Sequence, residues 1–164
     1  MRKVAVQPLT MEAFRPYGDF VSLLKTGDGA PGFYPDLLQL PLGQAVTTVG
    51  LARIQAGRVA DMLEYHQFTS EGLLPLDGPC DIFVGQPVPG NPFAAVLHGF
   101  RIPAGTFVRL NPGVVHGTQL PVNDAPVSVL LILPAFTVGN DTQYVFLSGE
   151  ERLTLQWEEN ADGI

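Results

Sequence analysis

Residues 57–78 read GRVADMLEYHQFTSEGLLPLDG, and the alternation inside this stretch decides the fold. Leu63 and Tyr65 fall on one face of an extended segment, while Glu64 and His66 fall on the other, because side chains alternate along a strand. Four residues then separate His66 from Glu71, enough for a turn, and Glu71 opens a second apolar run that Gly78 closes. The stretch therefore reads as two short strands in a hairpin, Met62–His66 and Glu71–Pro75, carrying two carboxylates and one imidazole.

The same grammar continues outward. Further strands are expected over Thr47–Gln55, Asp81–Gln86, Phe93–Ile102, Phe107–Leu110, Val115–Leu120, Val127–Leu133 and Gln143–Leu147. Gly and Pro together number 33 (18 and 15) and punctuate these runs. Among the turn signals are Asp77-Gly78-Pro79, Pro89-Gly90-Asn91-Pro92 and Asn111-Pro112-Gly113. Short strands at intervals of roughly 8–12 residues predict an all-β sandwich or barrel. Before them, Thr10–Tyr17 is expected to form one short helix, capped by Thr10 and stopped by Pro16. Residues 25–36, rich in Gly and Pro, are expected to be loop, with the capacity to act as a lid.

The 164 residues suit one domain: residues 1–45 as N-terminal helix and loop, 46–157 as barrel, and 158–164 as a frayed tail. The net charge of −7 repels phosphate backbones and anionic headgroups, so neither nucleic acid nor a membrane surface is an expected partner. The longest apolar run, Val127–Phe136, is interrupted by Pro134 and falls short of the roughly 20 residues of a membrane span. The opening residues lack the pattern of a secretion signal. Cys80 is the sole cysteine, which excludes an intramolecular disulfide and suits a reducing, cytoplasmic setting. It lacks an activating base in sequence and reads as a small hydrophobe.

A second informative stretch, GTFVRLNPGVVH from Gly105 to His116, ends in another imidazole after a tight turn. Two imidazoles and one or two carboxylates form a donor set for Mn, Fe, Ni, Co or Zn. The bland alternative for each histidine is a hydrogen-bonded core residue. Against it stands the cost of burying acids without a cation, a proton or a ligand.

The two stretches resemble the paired motifs of the cupin superfamily. His66, Glu71 and Gly78 match the first motif, with Glu64 where the leading His would stand. Gly105, Gly113 and His116 match the second, with Asn111 in the place of Pro. The resemblance implies a double-stranded β-helix, or jelly-roll barrel, with a metal held by His66, Glu71, His116 and Glu64.

A narrower resemblance is to the ureidoglycolate lyase family. It is carried by the opening PLTMEAFRPYGDFV, by Glu64-Tyr65-His66 with Thr69, Glu71, Leu73 and Pro75-Leu76, by the strand with Arg53, and by Val115-His116. Two positions depart from that family, which usually has Gln at 71 and Trp at 115. The family implies an enzyme that releases urea from ureidoglycolate and leaves glyoxylate, in allantoin and purine degradation. Glu64, His66 and His116 are then the expected catalytic groups. Arg53 is the leading candidate to bind the substrate carboxylate, followed by Arg109 and Arg101; each is otherwise a surface charge. His98, Tyr34, Tyr65 and Phe68 are weaker candidates for the pocket. A homodimer is expected, with Val127–Leu133 central in a sheet or at the interface. The alternatives are a non-catalytic cupin that binds a small carboxylate or sugar, and a different cupin enzyme such as an isomerase or dioxygenase.

Overall fold

The computed structural model describes residues 1–43 and 46–157, so the expected frayed tail lies outside the described residues. A six-stranded sheet runs in the order β10 (Leu120–Pro121), β7 (Cys80–Gly85), β8 (Leu97–Ile102), β1 (Arg2–Pro8), β13 (Leu153–Trp157), β4 (Val59–Ala60). A five-stranded sheet runs β2 (Gly18–Ser22), β9 (Thr106–Leu110), β6 (Glu71–Pro75), β11 (Val127–Pro134), β3 (Thr47–Ile54). A two-stranded antiparallel pair joins β12 (Thr142–Phe146) to β5 (Met62–His66), so β5 and β6, expected as the two arms of one hairpin, instead lie in different sheets, with β6 pairing β9 and β11. The protein is mostly β, and its nearly closed barrel is of the expected cupin type.

Alternation explains the packing. On β7, Cys80, Ile82 and Val84 point into one apolar cluster, and Phe83 points into another. The first cluster lies between the two large sheets and takes Phe100 and Ile102 from β8, Leu73 from β6, Val108 and Leu110 from β9, and Val127 and Val129 from β11. The second packs Val4 and Val6 of β1 and Leu153 and Leu155 of β13 against Leu63 and Tyr65 of β5. Cys80 is fully buried in the first cluster, and burial pushes its thiol up to about 12, with the neighbouring Asp81 charge adding to the effect. It is the inert hydrophobe its sequence context indicates.

Helix α1 is shorter than expected, Met11–Phe14, with Thr10 Oγ1 accepting from Ala13 N–H at 3.3 Å. Its Phe14 is buried edge-on against Phe100, with ring centroids 5.2 Å apart. The segment expected to hold only a helix and a loop also supplies β1 and β2. Strands β4 and β13 are further additions. The expected strand Val115–Leu120 is broken instead. His116 bridges to Glu64 on β5, while its neighbour Val115 bridges to Gly85 on β7. One residue apart, the chain pairs with two different sheets, so no continuous ladder can form there. Gly117 permits the crossing, since a Cβ would strike the Phe83 ring and the Met62 carbonyl.

Candidate active site

The Glu64–His116 bridge brings the two motifs into register. Leu63 and Tyr65 face the second core, so Glu64 and His66 face the barrel interior. Val114 packs in the first cluster and Val115 in the second, so His116 points inward too. On β6, Leu73 is in the first cluster and Glu71, two residues earlier, shares its face. The three side chains converge. Glu71 Oε2 lies 2.9 Å from His116 Nε2 and 3.3 Å from His66 Nε2, and the two imidazole centroids are 5.3 Å apart. His66, Glu71 and His116 are all buried, whereas the Glu64 side chain is 24% exposed at the rim, 3.9 Å from His116 Nε2.

Both rings are oriented from behind. His116 Nδ1 is 2.9 Å from the Val114 carbonyl, which can only accept, so the ring carries a proton on Nδ1 and Nε2 is the atom offered to Glu71. His66 Nδ1 is 3.1 Å from Thr142 Oγ1.

Burial alone would raise the Glu71 carboxyl and lower the His116 imidazole, but the facing groups outweigh it. The imidazoles of His116 and His66 hold Glu71 at about 2. His116 is pushed up to about 9, mainly by Glu71, with help from Glu64 and the Val114 carbonyl. The 2.9 Å contact is nonetheless poorly directed: His116 Nε2 and Glu71 Oε2 both lack an aligned hydrogen-bond partner. Charge proximity is therefore the better account of these shifts than hydrogen bonding.

Unfolded, the imidazole titrates near 6.5 and the carboxyl near 4.5. The pair's full contribution is present between those values. It is lost as pH rises through about 9, where His116 deprotonates, and as pH falls toward about 2, where Glu71 is protonated. Chelator-treated protein is thus expected to lose melting temperature steadily between pH 6.5 and 9. A flat profile across that range would count against the pair.

These residues fit a divalent metal. The donor atoms of His66, Glu71 and His116 lie within 4.8 Å of one another. They are of the types that take first-row ions, and two are buried without an aligned partner. A proton on His116 compensates the carboxylate imperfectly, and a cation would serve all three groups.

The arginines are not brought to this cluster. On β3, Ile54 and Ala52 face the first core, so Arg53 points outward, 3.5 Å from Ser128 Oγ. On β9, Val108 and Leu110 face inward, and Arg109 points outward to the Gln39 carbonyl (3.0 Å) and Asp19 (3.5 Å). Arg101 is bound to Asp81 and lies over the Trp157 ring. His98 is exposed beside Tyr17, Tyr65 is buried on the face away from His66, and Phe68 and Tyr34 are exposed. Sequence reasoning missed Thr142 and Asp141, which contact the end of β5 from 74 to 76 residues away. A hydroxyl or carboxylate at such a distance leaves no local spacing signal.

No family model matches the chain. It is 30% identical over 132 residues to a ureidoglycolate lyase of Rhodobacter capsulatus, covering 74% of this chain and 81% of that protein. It is 26% identical over 165 residues to a ureidoglycolate lyase of Stutzerimonas stutzeri, covering 94% and 96%. A solved dTDP sugar isomerase from Desulfovibrio desulfuricans G20 superposes with a TM-score of 0.53 at 13% identity, covering 79% of this chain and 82% of that one, a likeness of fold alone. With its length spanned by these relatives, the chain belongs to the ureidoglycolate lyase family.

Proposed function

We propose that this enzyme splits ureidoglycolate into glyoxylate and urea, with a divalent metal held by His66, Glu71 and His116. Family membership supports the substrate; the convergence of three buried donor groups on one point is the observation that carries the site. The substrate is a hemiaminal. Glu64, on the open side of the cluster, takes the hydroxyl proton as the carbonyl forms, and the carbon–nitrogen bond breaks. The same carboxyl then returns that proton to the departing urea nitrogen, so no external acid is needed. His66 and His116 keep their Nε2 atoms directed at the reacting region through their Nδ1 contacts. When bound, the metal would acidify the substrate hydroxyl and neutralise its carboxylate.

The test is release of glyoxylate and urea by metal-loaded protein. Glu64→Gln is expected to lower kcat about 100-fold, the scale of a lost general base. Absence of glyoxylate from a metal-loaded preparation would sink the activity. Full activity after rigorous chelation would remove the metal and leave the lyase reading standing.

We further read the protein as a single-domain cytoplasmic homodimer with no nucleic-acid or membrane partner. Its acidic charge and lone buried cysteine support this setting, and no helix of the described residues is long and apolar enough to cross a membrane. The outer face of β3, an edge strand, exposes Val49 and Leu51 beside Ile132 and Leu130 of β11, an apolar strip suited to a second copy. Leu51→Asp is expected to shift the mass measured by light scattering from dimer to monomer. A wild-type monomer at working concentration would overturn the assembly.

A further inference from the structure

Two neighbouring side chains hold three consecutive residues at the end of β5. Asp141 accepts from the Gln67 N–H at 3.1 Å and from the Phe68 N–H at 3.0 Å. Thr142 stands directly opposite His66 in the β12–β5 ladder, with Oγ1 3.1 Å from His66 Nδ1. The same hydroxyl donates to the Thr137 carbonyl at 3.2 Å. That carbonyl is fixed in place: the Asp141 N–H also donates to it at 2.8 Å, and Thr137 is buried with its own Oγ1 donating to the Pro134 carbonyl.

A hydroxyl has one proton to give. With that proton committed to Thr137, Thr142 Oγ1 meets His66 only as an acceptor. The ring proton is then on Nδ1, and Nε2 turns its lone pair toward Glu71. From this chain of contacts we infer that Thr142 is a positioning residue that sets the tautomer and ring plane of His66 for metal binding. The inference rests on the metal-assisted reading above. His116 obtains the same orientation from a backbone carbonyl, so of the two rings His66 is the one whose tautomer a substitution can change. Asp141 keeps the ladder in register by holding the two residues beyond His66.

The experiment compares wild type, Thr142→Val and Thr142→Ser. Val keeps the shape and removes the oxygen; Ser restores the oxygen. Nitrogen-15 spectra of the metal-free proteins, at a pH where neutral imidazole dominates, should show His66 protonated on Nδ1 in wild type and Thr142→Ser. In Thr142→Val the proton should move to Nε2, where Glu71 accepts it, with His116 keeping its own pattern. Affinity for Co(II), measured by calorimetry, should fall about 10–100-fold in Thr142→Val, as for other partners that orient a ligating histidine, and recover in Thr142→Ser. An Nε2-protonated His66 in wild type, or wild-type Co(II) affinity in a folded Thr142→Val, would overturn the role of Thr142. A wild-type protein that takes up no Co(II) would count against the metal reading instead, and the tautomer comparison would still decide the role of the hydroxyl.

Discussion

Glu71→Gln is expected to lower kcat/KM on the order of 1,000-fold and to abolish tight metal uptake, because losing a ligand exceeds the 10–100-fold typical of an outer partner. Both imidazoles place their Nε2 atoms within 3.3 Å of Glu71 Oε2, and this carboxylate is the one buried negative charge among the three converging groups. The amide keeps the volume of the side chain and removes its charge. Two neutral imidazoles then face an uncharged group, and the attraction for a cation is largely gone. His116 also loses the partner that holds its pKa near 9 and should titrate closer to an ordinary imidazole. Circular dichroism should show the fold intact, which separates the loss from unfolding. The substitution also installs the residue that the resemblance to the family implies at this position. Full glyoxylate release by the Gln variant would therefore assign the site a chemistry that needs no carboxylate ligand.

Asp81→Ala is expected to cost about 3–5 kcal/mol of stability, the range for breaking a buried ion pair by removing one partner. For a chain of this length that lowers the melting temperature on the order of 10 °C. Asp81 is fully buried and takes Arg58 Nη2 at 2.8 Å, Arg101 Nε at 2.9 Å and Arg101 Nη2 at 3.2 Å. Arg58 continues to the carbonyls of Leu155 (2.8 Å) and Pro121 (3.1 Å), and Arg101 lies 4.1 Å from the Trp157 ring centre. One carboxylate thus organises contacts among β7, β8, β10 and β13. Without it, two guanidinium groups remain partly buried with no counter-charge. Because Asp81 alternates with Ile82, it lies on the face of β7 opposite the barrel interior. Turnover by folded protein, measured well below the transition, should stay near wild type. A melting temperature within about 2 °C of wild type, equivalent to under 1 kcal/mol for a chain of this size, would contradict the account.

Much of the site was readable from local spacing. Glu64 and His66 share a face because they are two apart on a strand, and the turn after His66 returns Glu71 to the same interior. The late Asn111-Pro112-Gly113 turn announces His116, and Gly113 indeed takes φ +81°. What the pattern could not supply was anything set by pairing across long separations. Strand β1 has only Val4 and Val6 as inward positions, and its partners are more than 90 residues away. The strand around Val115 looked continuous because apolar alternation is blind to which sheet each residue joins. Thr142 and Asp141 were invisible for the same reason. The arginines illustrate a parity error: Arg53 and Arg109 are one residue out of phase with inward-facing neighbours, so the pleat sends them to the outer face.

The placement of β1 between β8 and β13, parallel to both, has a consequence for biosynthesis. This strand is completed on one side only when residues 153–157, made more than 140 residues later, have left the ribosome. Until then Val4 and Val6 lack Leu153 and Leu155 as neighbours, and one edge of β1 is open to pairing with other nascent chains. Such high contact order predicts slow folding, with yield limited by what shields that edge during the wait.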